Sequence, residues 1–208
     1  MIAAVLLAAG SARRFDGRQK LLAPVPHEGG FVPLVRLSVF GLIQAGAEHI
    51  LVVGGRDGVE VRDCLDDLDV QFALNKAFAS GMSSSLRVGL REAVRRWPES
   101  EGVLIALGDQ PLLDSGILAA LLQHSARARA ATASWIVAPR FRGVVGNPVV
   151  FARALVPELL LVRGDRGARA VVERDPSRVE YVDFDREAPR DVDTLNDLAE
   201  LTGNLRLP

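Results

Sequence analysis

The sequence predicts an α/β fold built on a mostly parallel sheet with helices on both faces. Three observations carry this. Short, wholly apolar runs recur, as at residues 2–7, 50–53 and 102–107; unbroken apolarity over strand length suits strands buried on both faces. Stretches with apolar residues at helical spacing separate these runs, so strands alternate with helices along the chain. Each run ends abruptly in small or polar residues, and open α/β sheets bind ligands at the carboxyl ends of their strands.

The elements follow in order. Residues 2–7 form the first strand, and a loop of small residues and cations runs on to Lys20. Residues 21–25 are extended, because Pro24 and Pro26 forbid a regular helix. Gly29-Gly30 marks a turn and Pro33 suits a helix start. Leu34, Val35, Leu37, Val39, Phe40, Leu42 and Ile43 then make one helical face, and Gly46 is a plausible stop. Strand 50–53 ends at Gly54-Gly55, helix 59–68 follows, and residues 70–74 are a third strand. Ser83 or Ser84 is a natural N-cap for a helix running through Val94, which Trp97-Pro98 closes. Strand 102–107 leads into Gly108-Asp109-Gln110-Pro111, then a helix over 117–122 and an Arg-Ala run over 126–133. Residues 135–138 are a strand, and 139–151 read as a hairpin-like insertion. A helix over 155–162 comes next. Asp165 is placed to cap another over 168–172, residues 179–183 form a late strand, and Asp191 or Thr194 caps the last helix.

Composition bounds what this fold does. The chain has 208 residues, 49% hydrophobic and 25% charged, enough for one domain spanning 1–208 with no internal repeat or linker. A net charge of −1 argues against a general nucleic-acid binder. The single cysteine, Cys64, precludes an intramolecular disulfide and fits a reducing compartment. The apolar N-terminus lacks a basic segment before it, so it does not read as a signal peptide. No stretch is long enough to span a bilayer, and a cytoplasmic, membrane-free protein is expected. His27, His49 and His124 lack zinc-type spacing.

The chemistry concentrates at strand ends. Ala8, Ala9 and Gly10 leave almost no bulk, so a ligand can approach the backbone, and Arg13, Arg14, Arg18 and Lys20 add positive charge just beyond. Together these suit a polyphosphate; the plainer alternative is an ordinary loop with a solvated basic face. A Walker A loop fails, because Arg18 and Gln19 follow Gly17. A dinucleotide fingerprint fails, because Ala12 stands where its second Gly belongs. Asp109, immediately after a buried strand, is either a turn cap or a metal ligand. Asn147 serves equally as a turn residue or as a partner for a polar heterocycle.

Leu7-Ala8-Ala9-Gly10, followed by Arg14 and Lys20, resembles the nucleotidyltransferase signature of the MobA/MocA-like enzymes, which attach a nucleotide to molybdopterin cofactors, and of sugar-phosphate nucleotidyltransferases. Phe15-Asp16-Gly17 replaces the Met-Gly common in that signature. Further stretches resemble MocA-like segments in the same order: Gly81-Met82-Ser83-Ser84-Ser85-Leu86, Asp109-Gln110-Pro111, Gly146-Asn147-Pro148, Gly164-Asp165-Arg166-Gly167-Ala168-Arg169 and Asp193-Thr194, with Leu195 where Pro is usual. The resemblance implies a Rossmann-like fold of the nucleotide-diphospho-sugar transferase type. It implies that Leu7, Ala8, Ala9 and Gly10 wrap the nucleotide, and that Arg14 and Lys20 act on its phosphates. Gly81 and Ser84 would contact base and ribose. Asp109, with Asp193 or else Asp191, would hold Mg2+, and Asn147, Asp165 and Arg169 would meet the acceptor.

The reaction so implied is attack by a phosphate on the α-phosphorus of a nucleoside triphosphate, with release of pyrophosphate. Two unit charges about 4 Å apart repel by roughly 4 kcal/mol at an effective dielectric near 20, so a divalent cation and fixed cations are expected. A phosphate nucleophile is already ionised and needs no general base. The motif set points to transfer of CMP from CTP to molybdopterin, with a molybdenum hydroxylase or its chaperone as a downstream partner. Only Ala9 before Gly10 separates CTP from GTP, since the guanylyl branch more often carries Leu-Ala-Gly-Gly. Alternatives are another small-molecule phosphate acceptor and a non-catalytic cofactor-binding chaperone.

Overall fold

The computed structural model describes residues 1–10, 19–111 and 114–204. Its centre is β1 (Ile2–Ala8), flanked in parallel by β4 (His49–Gly54) and β6 (Gly102–Leu107). Central position on both edges explains the unbroken apolarity of Ile2-Ala3-Ala4-Val5-Leu6-Leu7: Ala3, Val5 and Leu6 are fully buried. Beyond β4 lies β5 (Gln71–Leu74), also parallel. Beyond β6 lie β9 (Val149–Ala152), β7 (Ile136–Phe141) and β10 (Val179–Phe184), giving the order β10-β7-β9-β6-β1-β4-β5. The two-residue β8 (Val144–Val145) pairs with β7 and completes an eight-stranded sheet.

The predicted mostly parallel sheet is therefore present, with one inserted reversal. The stretch 139–151 does turn back on itself at Arg142 and Gly143, both at positive φ. Its second half continues the hairpin along β7 and also takes a second neighbour on its other edge. β9 slots between β6 and β7, antiparallel to both. Its four residues are all buried, and Phe151 is among the largest side chains wholly removed from solvent.

Helices cover both faces, and the alternation along β1 shows how. Val5 meets Gly89 of α3 (Met82–Arg96), where a Cβ on the glycine would lie 2.5 Å from Val5 Cγ1. Ile2 and Ala4 point the other way, into a cavity of about 240 Å³ bounded by Leu42 of α1 (Leu34–Gln44) and Leu118 and Leu122 of α4 (Ser115–Ala131). That cavity sits at the amino ends of the strands, away from their carboxyl ends.

Several local expectations shift for identifiable reasons. Residues 21–25 are not simply extended: Lys20–Leu22 make a 3-10 turn before β2 (Pro24–His27), which pairs with β3 (Gly30–Pro33). The helix expected over 59–68 ends early, as α2 (Gly58–Asp63). Arg36 donates to the Cys64 carbonyl at 2.7 Å and grips Asp67, and Leu68 N–H turns back to Leu65, a tighter turn than an α-helix makes. Conversely, α4 extends through the Arg-Ala run, whose residues favour helix, and its cap is Asp114. The chain closes with α5 (Val156–Leu160), α6 (Arg169–Arg174) and α7 (Leu195–Asn204). Among the described residues no helix is long and apolar enough to cross a membrane.

The position of β9 makes a clear prediction. Truncating Phe151 to alanine should cost about 3–5 kcal/mol of stability, read as a lowered urea midpoint with an unchanged slope.

Candidate active site

The carboxyl ends of β1 and β6 open into a cleft of about 530 Å³. Leu7, Ala9 and Gly10 line it from β1, and Leu107 and Asp109 from β6. Ala8 is buried in the sheet and supports the wall without facing the cleft. Small residues set the packing at this edge. A Cβ on Gly55 would lie 2.7 Å from the Ala9 carbonyl oxygen, and one on Gly10 would meet nothing within 4 Å among the described residues. Ser38 Oγ, from α1, donates to the Gly108 carbonyl at 3.1 Å and anchors the turn that carries Asp109.

Lys20 enters on its 3-10 turn and is 9% exposed. Its Nζ donates to Asp109 Oδ2 at 2.8 Å and to Asp193 Oδ1 at 3.0 Å. Burial works against the ammonium, but the charges of Asp109 and Asp193 and the hydrogen bonds to them outweigh it and raise its pKa above the ordinary lysine value. Lys20 is thus a fixed cation at neutral pH. Two carboxylates each turn an oxygen to within 3.0 Å of one nitrogen, so they converge on a single point. Hard oxygen donors in that arrangement fit Mg2+ or Mn2+, which take one or two carboxylates and complete their shell with phosphate and water oxygens. Among the described residues no larger group of His, Cys, Asp or Glu forms a cage, and such a cation does not need one.

Asp191 and Asp193 turn to different partners. Asp193 faces Lys20, whereas Asp191 Oδ1 accepts from Gln110 Nε2 at 2.7 Å. Lost solvation, then nearby Asp109 and Asp193, raise the Asp191 pKa against the lowering effect of Gln110 and Lys20. Thr194 and Asp197 cap the entry to α7 reciprocally, Asp197 N–H donating to Thr194 Oγ1 and Thr194 N–H to Asp197 Oδ2.

The opposite wall differs from the serine-capped helix start read from sequence. α3 begins at Met82 with Gly81 as its cap residue, at φ +91°. Asn75, wholly buried after β5, donates to Ser84 Oγ and Ser85 Oγ at 2.8 and 2.9 Å. The Ser84 hydroxyl is also within hydrogen-bond reach of the Ala77 and Gly81 carbonyls. Ser84 therefore knits the wall from inside and does not face the cleft. Gly81, Met82, Ser85 and Phe78 do. Asn75, Met82 and Phe78 were not singled out from sequence; a polar residue directly after a strand, as Asn75 is after Leu74, was the available signal.

Asp165 reaches the same wall from 83 residues downstream of Met82. It does not cap the helix that follows it; α6 begins at Arg169 with no side-chain cap. Its Oδ1 accepts instead from Met82 N–H at 3.1 Å, at the start of α3, and Gly164 O accepts from Ser83 N–H at 3.0 Å. An acceptor at a helix start satisfies free amides and suits the positive end of the dipole. Asp165 and Gly164 both line the cleft. Asn147 precedes β9, whose Val149 pairs with Ile105, so it lies at the same end of the sheet beside β6 without lining the cleft. Arg169 pairs with Glu173 at 2.9 Å and borders a separate depression with Val144 and Tyr181. Arg14, with Arg13 and Arg18, lies outside the described residues.

A cleft that offers exposed backbone, a fixed cation and two convergent carboxylates is suited to polyphosphate, and this is the class of site that nucleotidyltransferases use. The sequence profile of the MobA-like NTP transferase domain matches residues 4–179, and the chain belongs to that family. The protein is thus a nucleotidyltransferase of the nucleotide-diphospho-sugar transferase fold. The crystal structure of Rv0371c from Mycobacterium tuberculosis H37Rv superimposes with a TM-score of 0.79 at 27% identity, covering 98% of this chain and 99% of that one. The same mycobacterial protein is known as a complex with manganese, at a TM-score of 0.75. A nucleotidyl transferase from Methanothermobacter thermautotroptrophicus shares the fold, with a TM-score of 0.78, 24% identity and coverage of 98% of this chain and 96% of that one. In sequence the chain is 26% identical over 178 residues to the bifunctional protein GlmU of Acetivibrio thermocellus. That match takes in 85% of this chain and 34% of the relative, so the chain spans about a third of that protein's length.

The junction of Gly81 with Asp165 yields a prediction. A Cβ at Gly81 would lie 2.6 Å from Asp165 Oδ1, in a backbone conformation that side chains resist. Gly81→Ala should destabilise the protein by more than about 1 kcal/mol, checked by thermal unfolding, and should raise KM for the nucleoside triphosphate more than it lowers kcat.

Proposed function

We propose that the protein transfers CMP from CTP to the phosphate of molybdopterin and releases pyrophosphate, with Mg2+ as its metal. The observation that carries nucleotidyl transfer is Lys20 held between Asp109 and Asp193 at the floor of the cleft. Support for the molybdopterin branch comes from the way Gly81-Met82 and Gly164-Asp165, parts of the two MocA-like segments, dock on one another in the cleft wall. Ala9 before Gly10 supports CTP over GTP.

In this reading Leu7, Ala9 and Gly10 accept the nucleotide against bare backbone, with Gly81 and Met82 opposite. Lys20 stabilises the charge that builds on the triphosphate as pyrophosphate leaves, and Arg14 is assigned the same work. Asp109 and Asp193 would hold the metal, which when bound neutralises phosphate charge and orients the α-phosphorus. The acceptor phosphate attacks that phosphorus, the α–β bridging bond breaks, and pyrophosphate carries the electron pair away. No side chain has to remove a proton, so catalysis rests on position and electrostatics. Asp165, which lines the cleft, and Asn147, which lies beside β6 without lining it, are assigned to the acceptor. Arg169, which borders a different depression, has the weakest geometric support. A cytoplasmic location and delivery to a molybdenum hydroxylase or its chaperone belong to the same reading.

The similarity to GlmU supports a second reading, a nucleotidyltransferase with a different phosphate-bearing acceptor.

Pyrophosphate release decides between them. With Mg2+ and molybdenum-loaded molybdopterin, CTP should support release while GTP and ATP do not. Release with GTP alone would move the protein to guanylyl transfer, and no release with any of the three would replace the acceptor. Lys20→Ala should lower kcat by roughly 10²–10³-fold, the usual effect of removing one preorganised charge-stabilising donor. Asp109→Ala should abolish turnover and leave the fold intact, as judged by circular dichroism.

A further inference from the structure

Gln110 and Asp191 adjoin the acidic pair, yet neither lines the cleft and neither hydrogen-bonds Lys20. Gln110 is 6% exposed. Its Nε2 donates to Asp191 Oδ1 at 2.7 Å, while its Oε1 is buried without a partner among the described residues. A buried polar atom left unpaired is destabilising, a cost that an apolar side chain of similar size avoids. What the glutamine supplies in return is the bond to Asp191.

That bond has a main-chain companion. Val192 N–H donates to the Asp109 carbonyl at 2.9 Å, and the Val192 side chain is buried. The turn at 109–110 and the segment at 191–192 are thereby joined twice, once through backbone and once through side chains. On the far side, Asp193 N–H and Thr194 N–H both donate to Asp197 Oδ2, at 2.9 and 2.7 Å. Asp193 lies between these two anchors. Its backbone is held from both directions, and its carboxylate is delivered to the point that Asp109 also faces.

We infer that Gln110 and Asp191 are positioning residues for the second metal-facing carboxylate. Asp191 acts as the hydrogen-bond acceptor that registers the 191–193 segment against the Asp109 turn, and Asp193 is the ligand. The inference rests on the reading above that Asp109 and Asp193 hold a divalent cation. It separates the two acids by role: the charge of Asp193 is required, whereas Asp191 needs only an oxygen that accepts from Gln110.

Mn2+ binding to the whole protein, followed by electron paramagnetic resonance alone and with the α,β-methylene analogue of CTP, tests this directly. Asp193→Ala should lose the bound-metal signal. Asp191→Asn, which keeps an acceptor oxygen, should bind Mn2+ as the wild type does. Asp191→Ala and Gln110→Leu should each weaken binding by roughly tenfold or more, the usual consequence of losing a partner that orients a ligand. In turnover, the same two variants should need more Mn2+ for half-saturation while approaching wild-type kcat at saturating metal. If Asp191→Asn is as weak as Asp191→Ala, the charge matters and Asp191 is a ligand; if Asp191→Ala binds normally, the clamp has no role. Either result overturns the inference. Intact Mn2+ binding in Asp193→Ala would instead overturn the metal reading on which it stands. Should Asp191→Ala fail to fold, Gln110→Leu against Asp191→Asn makes the same comparison.

Discussion

The ammonium of Lys20 between Asp109 and Asp193 is the interaction on which the rest of the site depends. A lysine this little exposed needs its charge compensated, because breaking a buried pair leaves an isolated ion in a poor solvent. Two carboxylates drawn to one point need a cation for the complementary reason: like charges at short range disfavour one another's ionised form. The three groups are mutually required, and they come from three distant parts of the chain. Holding them together demands that the 3-10 turn after the first loop, the end of β6 and the approach to α7 all meet at the carboxyl edge of the sheet. The register of β1 against β6, with Leu7 opposite Leu107, brings the ends of these two strands to the same height, and the Lys20–Asp109 bond ties in the 3-10 turn. The Val192–Asp109 hydrogen bond brings in the third.

A second constraint shapes the opposite wall. Gly81 sits at positive φ with no room for a side chain, because Asp165 and Gly164 pack against it. Gly167, also at positive φ, lies where a Cβ would meet Met82 Sδ at 2.6 Å. Glycines on one side and a carboxylate on the other thus let two loops interlock. The contact couples the part of the cleft read as nucleotide-facing to the part read as acceptor-facing. A carboxylate at the start of α3 also occupies the place where a helix amino end would otherwise attract an anion.

Much of this was legible in the residues. Uninterrupted apolar runs marked the buried parallel strands, and the small residues after β1 and the acid after β6 marked the end of the sheet where the cleft opens. Lys20, Asp109 and Asp193 were each singled out, and they converge. What local pattern missed has a common cause. Ser84 reads as a cap from its neighbours, yet the buried amide of Asn75 turns it inward. Asp165 reads as the cap of the helix beside it, yet it serves a helix 83 residues earlier in the chain. Helix α2 stops where Arg36, from α1, takes a carbonyl its continuation would have used.

By itself the sequence determined the class of fold, the end of the sheet where the cleft opens and the residue types gathered there, because strand burial, helix periodicity and loop chemistry are written in neighbouring positions. Only the tertiary structure decided which of Asp191 and Asp193 faces Lys20, where β9 inserts, and which loops close the cleft. Those outcomes are set by hydrogen bonds and charge pairs between residues tens to more than a hundred positions apart. Such partners leave no periodic trace in the chain, and become neighbours only when the sheet has brought its strand ends together.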